Sequence, residues 1–570
     1  MPYGTARYLI SEQYAPEYVA AKGQRYSHVG WLYKLLHLCP RRDLIAALTL
    51  AARVASDPAE RDEWTAYVLA NVDPTLAAAM RSALAPTDRG PHFVFLARQP
   101  VLLALRAALT EPVVRGPGDD DPRIAATLLS HHVAHGDMVS RYLRGPEPVM
   151  GGRPESDTMH LVVHALFNLP LDYGALIART EFLWTHYESQ LTRYPPRAPL
   201  RDMVREATGL DLEDILALAF ALFAHVSSLG VHSTSVALDM SQLGLPADVV
   251  SRFLTLFSDS RAGFARALKG GPVGAGEWFF LPFENRPLLR LSKTDVLVID
   301  MVLLQRRFTS ALYWLVHDHE RDTHGNTARI QWTQTYSELV EMHAEHLLKD
   351  AAPPMLDGTS SFFTEETVRL LGGSAADCGI DFGDFVLVAD IVQHNVKVPA
   401  RAFADASAFR DDVKKSVLGK ARQLDDTIEQ LLTKVAHRAH PLGRRPRRVV
   451  PMVVEGAEFP VIAETTAYIN DELESAGLLR QPECTRLLVV TLAELEMLAS
   501  LIHAGIVASA RAAIHGYAID RGGDSFTNHL HRNYAIGGPM LRASFMAQQQ
   551  SLALAEVLKR LQVQPEDDRA

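Results

Sequence analysis

Through the first half of the chain, apolar residues recur at helical spacing. In Asp43–Ala55 (DLIAALTLAARVA) and Pro74–Leu84, Leu, Ile and Ala fall along one face, which predicts amphipathic helices. The pattern resumes over 124–143 and 158–269. It is broken by Arg115–Arg123 (RGPGDDDPR), Arg144–Asp157 (RGPEPVMGGRPESD) and Tyr194–Pro199 (YPPRAP), where Gly, Pro and Asp favour loops. The longest apolar run, Ile215–Ala224, is framed by Glu213, Asp214 and His225; it is too short to span a bilayer and predicts a buried helix. Residues 1–269 therefore read as one or two all-helical modules.

The pattern changes at Gly270–Gly276 (GGPVGAG). Two β-type runs within Trp278–Ile299 flank Ser292-Lys293-Thr294 and predict a hairpin. A helix over 300–318 and a polar loop, His319–Asn326, follow. Tyr336–Leu348 predicts a helix carrying Glu341 and Glu345, and Ala351–Ser361 a loop. Next come two short strands, Asp384–Asp390 and Asn395–Arg401, and a long helix, Phe409–Leu432. Val449–Val454 and Leu487–Thr491 are further strands, and Leu492–Leu561 is largely helical. This order predicts an α+β multidomain chain. A helical region (1–269) leads to a hairpin-and-helix linker module (270–334), a mixed α/β core (335–495) and a helical C-terminal region (496–570).

Composition narrows the partners. Apolar residues make up 48% and charged residues 22%, as in ordinary globular proteins, and 570 residues exceed one hydrophobic core. A net charge of −10 and a pI near 6.2 argue against coating of nucleic acid or anionic membrane by the whole surface, while leaving room for a local basic groove. The three cysteines, Cys39, Cys378 and Cys484, are far apart and form no C-x-x-C. Neither a disulfide framework nor a zinc–thiolate site is expected, which fits a reducing cytosol. MPYGTARYLISEQY lacks a basic segment followed by an apolar one, so a cytoplasmic protein without membrane attachment is expected. G-x-S-x-G and G-x-x-x-x-G-K-[ST] are absent, and Gly270–Gly276 precedes a strand rather than a helix. A hydrolase elbow, a nucleotide-triphosphate loop and a dinucleotide site are thereby set aside.

Candidate chemistry centres on 381–424. Residues i and i+2 of a strand share a face, so Asn395 and Lys397 would project together, with Val396 opposite. Asp384 opens the preceding strand. On the following helix the apolar stripe is Val413, Val417, Leu424, Ile428 and Leu431. Lys420 falls on that stripe and needs an anionic partner, with Gln423 close to the same face. Carboxylates with a nearby lysine suit metal-dependent phosphodiester cleavage, in which oxygens hold a divalent cation and the lysine orients water or stabilises charge.

On Asp384, Asn395-Val396-Lys397, Glu341 and Gln423, residues 335–495 resemble the PD-(D/E)XK nuclease superfamily. The resemblance implies a restriction-endonuclease-like core, magnesium or manganese as cofactor, and DNA or RNA as substrate, in restriction, repair or defence. It implies Asp384 and Glu341 as metal ligands and Lys397 as the water-orienting or charge-stabilising group. Lys420 and Gln423 would support the site. Asn395 stands where the family has an acid, so it ligates a hard cation only neutrally, and Thr427 stands where a tyrosine often follows. Arg444, Arg445, Arg447 and Arg448 become candidate phosphate contacts. A catalytically inactive module that binds nucleic acid or regulates stays open, as does Asp390 or Asp405 in the place of the missing acid. Protein partners or homo-oligomers are compatible with each. A different class is a helical metal protein: His131/His135 and His160/His164 are spaced i, i+4 and could present imidazoles to zinc or iron, and His317-Asp318-His319 is a similarly weak pattern.

Overall fold

The computed structural model describes residues 98–110, 149–150, 152–167, 173–229, 237–271, 279–353, 361–520, 525–534 and 544–561. Among them no helix is long and apolar enough to cross a membrane. The helices predicted at Asp43–Ala55, Pro74–Leu84 and 124–143, with His131, His135 and Cys39, lie outside these residues. His160 and His164 lie on the helix Glu155–Phe167. By internal packing the chain divides into two units. One is Met1–Pro146, Thr208–Ala311 and Glu556–Ala570; the other is Glu147–Ala207 and Leu312–Ala555.

In the first unit the predicted hairpin is present, with Leu288–Arg290 antiparallel to Asp295–Val298. Leu238–Asp239 and Ser258–Ser260 extend it on either side into a four-stranded mixed sheet. These two strands interrupt the stretch read as helical through 269; at two and three residues they are too short to display a strand period. Phe253, Phe257 and Phe308 pack ring to ring. Asp300 caps the helix Met301–Phe308 through the Leu303 N–H and takes both arms of Arg98, at 2.8 and 2.6 Å.

The second unit is a mixed α/β layer structure. Among its helices, those that matter for the site are α1 (Leu200–Thr208, whose final residue falls in the first unit), α2 (Leu312–His319), α3 (Asn326–Ala351), α4 (Val398–Phe403), α5 (Ala406–Lys415), α6 (Val417–Thr433), α7 (Ala463–Ala476) and α8 (Leu492–His503). Its five-stranded sheet is built of β1 (Phe362–Thr364), β2 (Cys378–Asp381), β3 (Val386–Val392), β4 (Val449–Glu455) and β5 (Leu488–Thr491), ordered β5-β4-β3-β2-β1. β3, β4 and β5 run parallel, so helical crossovers join them; β1 and β2 are antiparallel to their neighbours. Ala421, Leu424 and Ile428 of α6 pack with Val386, Val388, Val449 and Val453 in one core. α3 packs against β2 and β3.

Four local expectations are corrected. Asn395–Arg401 is not a strand. Pro399, which lacks an N–H, sits in the first turn of α4, where none is needed. Asp384 lies in the turn before β3, beside Gly383 at φ +90°. The long helix Phe409–Leu432 is two helices, broken at Ser416 (φ −87°, ψ −87°). The polar loop His319–Asn326 is mostly a π-helical turn, Glu320–His324, stopped at Gly325.

Candidate active site

The antiparallel register of β2 and β3 pairs Cys378 with Ala389. Continued by one residue, it sets Asp377 opposite Asp390. Asp377 Oδ2 accepts the Ile391 N–H at 2.6 Å, and its carbonyl accepts the Glu365 N–H at 2.7 Å. Asp390 alternates with Val386 and Val388 and so shares their face, toward α6; it is fully buried. Like charges opposed across two strands repel, and Lys420 answers them. Its ammonium bonds Asp390 Oδ1 and lies 3.7 Å from Asp377 Oδ2. Asp390 Oδ2 has no hydrogen-bond partner.

A polar stripe on α6 explains how Lys420 is aimed. Gln423 Nε2 donates to the Ala375 carbonyl, Thr427 Oγ1 accepts the Ala376 N–H at 2.8 Å, and Gln430 Nε2 donates to the Ser374 carbonyl at 2.9 Å. These side chains recur at helical spacing and hold the segment that delivers Asp377. Thr427, at the position expected of a tyrosine, is one of these anchors.

Glu341 and Glu345, one turn apart on α3, complete the cluster. Burial and the nearby Asp377 push Glu341 up to about 7, against the opposing pull of Arg193. Burial, then Glu341 and Asp377, push Glu345 to about 8. Asp390 is raised well above the usual carboxylate range by burial and Asp377. Burial alone would lower Lys420, but Asp390 and Asp377 outweigh it and raise its pKa. Arg193 reaches Glu341 at 2.6 Å from a strap whose backbone is fixed. Glu338 accepts the consecutive N–H groups of Thr192, Arg193 and Tyr194 at 3.2, 3.1 and 2.8 Å. Elsewhere along α3, His343 meets Glu496 of α8 at 2.9 Å, and Arg179 clasps Glu496 at 2.8 and 2.6 Å. Burial favours a protonated Glu496, but Arg179 and His343 outweigh it and hold it at about 2. At the end of β4, Glu455 is buried, and burial, with Asp412 nearby, pushes it to about 8 against the pull of Ser416 and Lys420.

Of the residues singled out in the sequence, Gln423 holds the segment that delivers Asp377, and Glu341, Lys420 and the substitute acid Asp390 meet in this cluster. Asp384 does not: it is half-exposed and pairs with Arg511 at 3.0 and 2.8 Å, which holds its carboxyl below the usual range. Asn395 is half-buried between β3 and α4. Lys397 is committed to Asp412, through its ammonium at 3.2 Å and its backbone N–H at 2.8 Å. The triplet is therefore not a strand motif, and its lysine serves another carboxylate. Asp405 caps α5 by accepting the Ala408 N–H. Arg444 bonds Asp381 and the Gly383 carbonyl, Arg445 bonds Glu483, Arg448 contacts His515, and Arg447 is exposed. This basic run enters β4 beside Val386, roughly 13 Å along β3 from Asp390 at about 3.3 Å per residue, so it does not border the cluster.

Sequence reasoning passed over Asp377 altogether and kept Asp390 only as a substitute. The available signal was an acid inside VLVAD, a run buried on both faces, combined with the demand of Lys420 for an anion. Chemically, the cluster offers hard oxygen donors from Asp377, Asp390, Glu341 and Glu345 around one ammonium. One buried oxygen of Asp390 has no hydrogen-bond partner. Compared with known proteins, the chain matches no family model, no curated protein and no solved structure.

Proposed function

We propose that the second unit is a metal-dependent phosphodiesterase with a restriction-endonuclease-like core, acting on DNA or RNA in the cytoplasm. Asp390 carries this reading: a fully buried strand aspartate with one oxygen on Lys420, the other unpartnered, set against Asp377. Asp377, Asp390 and Glu341 are the residues that would hold magnesium or manganese. Bound there, the ion supplies charge neutralisation at the phosphate and acidifies water. Lys420, kept protonated by its two aspartates, offers a donor to a phosphate oxygen or to the attacking water. Glu345, with a carboxyl poised near neutrality, is suited to exchange a proton with that water. Lys414 and Lys415, exposed just before the helix that carries Lys420, are suited to phosphate-backbone contact. A helix preceding a mixed sheet, then a helix carrying the lysine, supports the expected core.

The test is cleavage of plasmid and single-stranded DNA or RNA with magnesium or manganese. Asp390→Asn should lose cleavage and Asp384→Asn keep it; equal cleavage by wild type and Asp390→Asn would discard the site. One observation favours a second reading, a binding module without cleavage: Arg193 on Glu341 and Lys420 on Asp390 already neutralise part of the cluster. Salt-dependent binding with no cleavage by the wild type would select it.

A further inference from the structure

Between α2 and α3 the chain makes the π-helical turn Glu320–His324, ended by Gly325 at φ +86°. In an α-helix, residues five apart point about 140° away from each other. A π-turn closes on i→i+5 and brings such residues nearly into line. His319 and His324 are that pair, with ring centroids 5.9 Å apart in an edge-to-face arrangement. Glu206 of α1 reaches the same point. One ligand atom from each of Glu206, His319 and His324 lies within 4.8 Å of the others.

The surroundings favour the ligating form of the acid. Arg197 bonds Glu206 and also the buried Glu320 of the π-turn, so it ties α1 to this turn. Arg197 engages Oε2, which leaves Oε1 to ligate. Thr323 Oγ1 lies 3.5 Å from His319 Nδ1, so Nε2 is the nitrogen of His319 better placed to ligate.

The geometry points to a second metal site here, for a late first-row divalent cation with zinc preferred, held by His319, His324 and Glu206 with solvent as fourth ligand. Two imidazoles and one carboxylate are a donor set that takes zinc and leaves an open position, whereas magnesium prefers oxygen alone. A tetrahedral zinc with bonds of about 2.0–2.1 Å spaces its ligand atoms about 3.3 Å apart. Glu206 and His324 are exposed and His319 half-exposed, so side-chain rotation supplies the closure. The site shares no residue with the acidic cluster. It is also distinct from the pairs His131/His135 and His160/His164. Its bound ion would pin α1 to the turn between α2 and α3.

Equilibrium dialysis of the full chain against zinc, with magnesium in excess, tests this. One zinc per chain is expected, together with a melting temperature that rises with zinc concentration. His319→Ala/His324→Ala should weaken binding by about tenfold or more, at least the cost of losing an outer-shell partner. Asp390→Asn, His131→Ala/His135→Ala and His160→Ala/His164→Ala should retain it. His324→Cys, which keeps a zinc ligand, should restore most of the affinity and so separate loss of a ligand from loss of fold. Absence of zinc from the wild type, or retention by the double variant, overturns the site.

Discussion

Two aspartates, one before β3 and one inside it, could hardly be placed more differently. Asp384 stands in the turn that enters β3, half-exposed, with Arg511 as a surface partner. Asp390 stands inside β3, out of reach of solvent, opposed by Asp377 and held by Lys420 from a helix beyond the strand. The first makes an exposed ion pair of the kind that contributes little to stability. The second must be neutralised by protein, proton or cation, because an isolated charge there is expensive. Position in a motif-like spacing singles out Asp384; desolvation and convergence of distant elements single out Asp390.

The sharpest way to break this contrast is through activity. Asp390→Asn is expected to lower magnesium-dependent cleavage about 100-fold or more, beyond the range for outer-shell partners, with circular dichroism unchanged. Stability comes next. Lys420→Ala strands the Asp390 carboxylate and should cost about 3–5 kcal/mol in urea unfolding. Adding Asp390→Asn should recover part of that loss, whereas strictly additive costs would show that the two side chains do not act as a pair.

The third prediction concerns pH. Glu341 near 7 and Glu345 near 8 are raised above the ordinary glutamate value, so between about 4.5 and those values the folded state holds more protons than the unfolded one. Stability of the metal-free protein should therefore fall as pH rises from about 4.5 to about 8 and level off above. Glu455 acts in the same direction. Glu496, held at about 2, adds stability that is lost only at more acidic pH. Magnesium should flatten the profile and release protons on binding near pH 6.5, seen as calorimetric heats that vary with the buffer. A urea midpoint that climbs across this window would contradict the assignment. The smallest effect belongs to Asp384→Asn: cleavage within about twofold of wild type and only a slight change in melting temperature.

Much of the second unit was legible from local pattern. Val449–Val454 and Leu487–Thr491 announced β4 and β5, and the spacing around Glu341 announced α3. Lys420 declared itself as a charge on an apolar stripe. What stayed hidden depends on partners far along the chain. β1 and β2 are three and four residues long and gain strand character only by pairing. Asp377 looks like the end of a loop until the register with Ala389 sets it against Asp390. Asn395-Val396-Lys397 looked like a strand because period-2 alternation is easily met by three residues, and Pro399 decided otherwise. The π-turn could not be read at all, since His319–Asn326 is polar in either conformation.

The strap over Glu341 has a consequence in time. Because Glu338 fixes the backbone from Thr192 to Tyr194, Arg193 leaves Glu341 by turning a half-exposed side chain rather than by opening a loop. Rotations of that kind take picoseconds to nanoseconds, against turnover of about 1–10³ per second in typical enzymes. The guanidinium is thus no gate on the pace of a reaction at this cluster. It competes with any cation for one carboxylate, and its removal should register as tighter occupancy, with the clock unchanged.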